Sequence, residues 1–128
     1  MRLAAAALLA ALAAATPAAA GFTAQNGLLV EPAGGGSFAV PWRGLSGPAD
    51  FWCAAGDYAI RVLHLAPTDR IYRASEPPRR AGEGVVFSVR PEDSAGSTGL
   101  LLLWGKGGGL SVGRAQALSE IRRHRRCQ

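Results

Sequence analysis

The first twenty residues read as a segment apart from the fold, which leaves the folding problem to the rest of the chain. Met1-Arg2 is a positive start, Leu3 to Ala15 contains only Leu and Ala, and Thr16-Pro17 breaks the run. Ala18-Ala19-Ala20 then places small residues at the −3 and −1 positions of a cleavage site. This three-part pattern is that of a secretory signal peptide. The apolar run is thirteen residues long, whereas a membrane-spanning helix needs about twenty. No later stretch reaches spanning length, and no Cys follows Ala20 to carry a lipid. The expectation is a cleaved leader at 1–20 and one small exported domain at 21–128, periplasmic or secreted, with no transmembrane segment.

Two cysteines, Cys53 and Cys127, remain after cleavage. An even count in an oxidising compartment reads as a disulfide. Closing that 74-residue loop would stabilise the fold by about 4 kcal/mol in the chain-entropy model and fasten a terminus that would otherwise fray. Two other readings compete. A Cys53 thiolate paired with His64 would be a nucleophile, but a partner Cys in an exported chain argues against a free thiolate. Cys53, His64, His124 and Cys127 could ligate zinc, yet ten residues separate Cys53 from His64, longer than usual zinc pairs.

The rest of the chain alternates strand-like and helical patterns. Leu28–Glu31 and Ser37–Trp42 flank Gly34-Gly35-Gly36 as a hairpin, with Pro41 suggesting an edge position. A helix is expected from Pro48 to about Leu63. Gly47 would be its N-cap, Pro48 takes the first position, and Asp50 lies in the first turn. Its apolar residues form two stripes, the pattern of a mostly buried helix, and Asp57 and Arg61 are spaced to pair on its surface. Gly56 costs about 1 kcal/mol against Ala in helix propensity, which suggests a close neighbour. Asp69–Ala74, Gly84–Arg90, Leu100–Trp104 and Leu110–Val112 read as strands, and Arg114–Arg126 as a final helix. The fold class is α+β, with an antiparallel sheet of four to six strands packed on one buried helix.

No residue set carries a specific catalytic signature. Gly105 to Gly109 has the glycines of a phosphate loop, but Lys106 is not followed by Ser or Thr. The G-x-S-x-G elbow is absent. No cofactor or metal is expected. The basic residues carry more information. The net charge is +5, and all but Lys106 of the fourteen Lys and Arg residues are Arg. Arg, Ala, Gly and Pro abundance together also fits a GC-rich bacterial genome. Arg70, Arg73, Arg79, Arg80 and Arg90 fall within twenty-one residues. If Asp69–Ala74 and Gly84–Arg90 pair, some of these guanidinium groups converge, and convergent Arg side chains bind carboxylate or phosphate. Arg122 to Arg126 forms a second basic cluster.

The functional expectation is a small, monomeric, non-enzymatic domain that contacts an anionic envelope component or partner protein through Arg. The compartment disfavours nucleic acid. The competing reading is a small secreted hydrolase-like enzyme with a site near His64 and Asp57. Intact-mass measurement of the exported protein should find a chain starting near Gly21 and two hydrogens lighter than its reduced form. Alkylation of both thiols without reductant would rule out the disulfide.

Overall fold

Side-chain alternation along the strands decides which face of the sheet turns inward. Val30, Phe38, Val40, Ile71, Val85, Phe87 and Leu110 are all buried, and each stands one or two positions from an exposed or half-buried neighbour on its strand. The computed structural model describes residues 21–44, 46–100 and 106–118. Its elements are β1 (Phe22–Thr23), β2 (Leu29–Gly34), β3 (Ser37–Val40), α1 (Pro48–Arg61), β4 (Arg70–Arg73), β5 (Val85–Ser88), β6 (Gly109–Ser111) and α2 (Val112–Ala117). The strands form one antiparallel sheet in the order β1-β2-β3-β5-β4-β6. β3, α1 and β4 make a crossover, and β5 inserts between its two strands. The architecture is α+β, with one long helix and one short one.

Helix α1 begins where its sequence says it should. Pro48 lacks an N–H that the first turn would leave unpaired anyway. The Asp50 carboxylate accepts from the Gly47 N–H at 2.9 Å. Every residue from Asp50 to Ala59 is buried, as two apolar stripes require. On the sheet side, Trp52 meets the Phe87 ring edge-on at 4.9 Å and Tyr58 packs on Phe38 at 4.8 Å. Aromatic pairs of this kind each add about 0.5–1.5 kcal/mol beyond their buried area. The Trp52 indole N–H donates to the Thr98 carbonyl at 2.9 Å, which holds the 94–99 loop over the end of the helix.

The other side of α1 meets α2. A Cβ on Gly56 would collide with the Gln116 backbone nitrogen and lie 2.9 Å from the Gln116 Cα. The neighbour anticipated from Gly56 is therefore α2. The next residue, Asp57, is fully buried. Its carboxylate accepts from the Gln25 backbone N–H at 3.0 Å, the Gln116 side-chain amide at 3.4 Å and Arg61 at 3.5 Å. The expected surface pair is corrected on its acidic side. Asp57 is interior and joins the N-terminal loop, α1 and α2, while Arg61 reaches in from solvent.

Two further expectations are corrected. β3 lies between β2 and β5 rather than at an edge, and Pro41 is tolerated because the strand ends at Val40. The second helix starts at Val112, capped by the Ser111 hydroxyl, which accepts from the Arg114 N–H at 3.3 Å. It does not continue through Leu118, whose backbone is extended. Among the described residues β6 pairs with β4. The strand expected at Leu100–Trp104 falls mostly outside the described residues, and the expected leader and the Arg122–Arg126 cluster fall wholly outside them. Among the described residues no helix is long and apolar enough to cross a membrane.

Gly56→Ala should destabilise the protein by about 2 kcal/mol in denaturant unfolding. Overpacking costs roughly 1–3 kcal/mol and outweighs a gain of about 1 kcal/mol in helix propensity. A stabilised variant would show that α1 and α2 do not meet here.

Candidate anion-binding site

Strand β4 carries the site. Along Arg70-Ile71-Tyr72-Arg73 the buried positions are Ile71 and Arg73, so a guanidinium occupies an interior position. Arg73 lies directly opposite Phe87, and directly opposed residues share a face. It is 3% exposed. Its Nε donates to the Ser75 carbonyl at 2.8 Å. Its Nη2 is buried and has no hydrogen-bond partner among the described residues, and no described Asp or Glu ion-pairs with it. Burial first, and the like charge of Arg79 second, lower the pKa of this guanidinium. It nevertheless stays protonated at any physiological pH.

Arg73 and Arg79 both border a cavity of about 200 Å³. Pro48 and Phe51 reach it from the start of α1, Pro77 and Pro78 from the β4–β5 connection, and Val85 from β5. Gly99 completes the wall. Arg79 is held in place rather than free to swing. Its Nη1 donates to the carbonyls of Arg80 at 3.0 Å and Glu83 at 2.8 Å, and its guanidinium carbon lies 5.2 Å from the centre of the Phe51 ring, within cation–π range. Gly99 has a positive φ of 72°. A Cβ there would collide with Arg73 Nη1, and the positive φ is one that glycine adopts most readily, so glycine favours the close approach of this loop to the guanidinium.

The other three arginines of the cluster are placed elsewhere. Arg70 stands at the alternate position of β4, and its Nη2 donates to the Gly109 carbonyl at 2.9 Å. Arg80 is exposed. Arg90 Nε donates to Glu92 Oε1 at 2.9 Å and lies 3.9 Å from Asp93 Oδ2. β4 and β5 do pair, but of the five guanidinium groups only those of Arg73 and Arg79 meet at this cavity. Two larger hollows, of about 330 and 480 Å³, hold no unpaired buried charge among the described residues. Phe38, Tyr58 and Leu65 line the first, and Arg70 and Tyr72 the second.

The alternative centre is not brought together. His64 is exposed just beyond α1 with a positive φ of 55°, and among the described residues no hydrogen bond or ion pair joins it to Asp57. The Asp57 carboxylate is directed at its three donors. Cys53 is buried, with Sγ 3.6 Å from the Gln116 carbonyl. Its proposed partner Cys127 and the potential ligand His124 lie outside the described residues. Among the described residues no three His, Cys, Asp or Glu side chains group as metal ligands.

Sequence reasoning included Arg73 and Arg79 without separating them from the other three. The separating signal was available, because Arg73 shares the strand face of Ile71. Phe51 and Gly99 carried no comparable signal. Compared with family models, with curated proteins and with solved structures, the chain matches none.

The exposed Arg90–Glu92 pair makes a pH test. Glu92 is held below the usual carboxylate range, first by a backbone hydrogen bond of its own and then by Arg90. Such a group contributes above its unfolded pKa and loses that contribution as pH falls through the folded value. An NMR titration should place the Glu92 midpoint below that of an ordinary Glu. Arg90→Ala should raise it toward the ordinary value and leave the melting temperature unchanged, because exposed pairs add little. An unmoved midpoint would show that Arg90 does not act on Glu92.

Proposed function

We propose that this is an exported binding module that takes one anionic group of an envelope component or partner protein into the cavity between Arg73 and Arg79. The observation that carries the reading is the buried Arg73 Nη2 with no partner among the described residues. Withdrawing a cation from water costs several kcal/mol unless an opposite charge and hydrogen bonds compensate. A structural role for Arg73 would call for a carboxylate partner, and no described residue supplies one. An anion entering the cavity would supply it. Arg79, pinned over Phe51, adds a second positive charge without swinging in to fill the space.

The leader-like segment at 1–20 sets the chemistry of the available partners. Outside the cytoplasm the candidates are lipopolysaccharide, anionic lipid head groups, peptidoglycan carboxylates and acidic proteins. In the same reading Cys53 pairs with Cys127. The described chain leaves α2 beside Cys53, since the Gln116 carbonyl lies 3.6 Å from its sulfur. The nine residues 119–127 can span about 30 Å when extended, ample for the return.

Thermal unfolding at constant ionic strength tests the site, because nonspecific screening is then held fixed. Replacing chloride by acetate or phosphate at about ten times its Kd should stabilise the protein by about 1.4 kcal/mol, roughly 5 °C in Tm. Arg73→Gln and Arg79→Ala should abolish the increment, and Arg80→Ala should keep it. An increment that survives Arg73→Gln, or that Arg80→Ala removes, would place anion binding elsewhere.

A further inference from the structure

We infer that the anionic group admitted beside Arg73 is a monocarboxylate carrying a short apolar substituent. This inference rests on the reading of the cavity as an anion site and narrows it. Three observations select the carboxylate.

The first is the number of donors. Arg73 Nε is committed to the Ser75 carbonyl, and Arg79 Nη1 to the carbonyls of Arg80 and Glu83. The end-on edge of Arg73, Nη1 and Nη2, is left beside Nε and Nη2 of Arg79, and the two parallel N–H groups of Arg73 match the two oxygens of one carboxylate. The second is what the walls cannot donate. Pro48, Pro77 and Pro78 have no N–H, and the Gly99 N–H is given to Ser97 Oγ at 3.2 Å. A phosphate or sulfate would turn further oxygens toward walls that donate nothing, and each buried oxygen left unpaired costs free energy. The third is the apolar remainder of the wall, the Phe51 ring, the proline rings and Val85. At about 200 Å³ the space exceeds what a lone carboxylate fills, given that one water takes roughly 30 Å³ of liquid. A short hydrocarbon group would bury its surface there.

A free small acid and the C-terminal carboxylate of a peptide share this chemistry, and the experiment separates them. The purified native protein is titrated at fixed ionic strength with isobutyrate, acetyl-Gly-Ala, the amide of acetyl-Gly-Ala, acetate and inorganic phosphate. The readouts are calorimetry and the NMR shifts of the Val85 methyls and Gly99 amide. Isobutyrate or acetyl-Gly-Ala should bind at least about tenfold tighter than acetate and than phosphate, and the amide should move neither signal. Preference for isobutyrate identifies a small acid as the source, and preference for acetyl-Gly-Ala identifies a peptide C-terminus. Either preference supports the inference. Gly99→Ala should lose at least about tenfold in affinity for the preferred acid, because its Cβ displaces Arg73. The ranking of probes on the unaltered protein stands if that variant does not fold. Phosphate binding tighter than both acids, with Val85 and Gly99 responding, would overturn the carboxylate and leave the anion site standing. No response of those two signals to any probe would overturn both.

Discussion

Burial of α1 on every side is the constraint from which the other parts of the structure follow. A helix with no solvent-facing stripe between Asp50 and Ala59 needs cover on more than the sheet face. The sheet supplies one wall through Phe38 and Phe87. The 112–117 helix supplies another by approaching Gly56 closely enough to exclude a Cβ. Asp57 ties this corner together, accepting from the Gln25 backbone N–H and the Gln116 side-chain amide on two separate segments. The 94–99 loop closes the remaining side through the Trp52–Thr98 hydrogen bond, and that closure places Gly99 against Arg73.

Arg73 is the exception within this apolar interior. Asp57 and Asp50 are also buried, but their carboxylates meet donors from the chain itself. The Arg73 guanidinium meets one carbonyl, and its outer edge has no described counter-charge. In the free protein that arrangement opposes folding through desolvation and through repulsion from Arg79, a cost expected where a site is held ready for a ligand. The surroundings keep the guanidinium still. Phe87 lies opposite it on the neighbouring strand, Gly99 presses on it from the loop, and Ser75 fixes its Nε.

Much of the fold was legible in the chain because local chemistry and tertiary demand agreed there. The triple glycine at 34–36 has positive φ throughout and closes the β2–β3 hairpin. Pro48 and Asp50 mark the start of α1, and its two apolar stripes announced its burial. Legibility failed where a residue answers to a distant one. Pro41 read as an edge marker because β5, some forty-five residues later, could not be foreseen as the outer neighbour of β3. Asp57 read as half of a surface pair because nothing near it announces Gln25 or Gln116. For the site, five arginines looked equivalent until strand alternation and the loop partners distinguished them. The two-residue spacing from Ile71 was the one local clue for Arg73, and no local pattern marks Gly99 as its cover.

The central claim is that Arg73 is a charge the protein carries for a ligand and not for its own stability. Arg73→Met tests it most directly, by denaturant unfolding in chloride buffer free of carboxylate and phosphate. Replacing an uncompensated buried ion by an apolar side chain of similar length is neutral or stabilising, whereas breaking a compensated one costs about 3–5 kcal/mol. The account predicts a variant at least as stable as the original. A loss of about 3 kcal/mol or more would contradict it, by showing that the guanidinium already has the partners it needs.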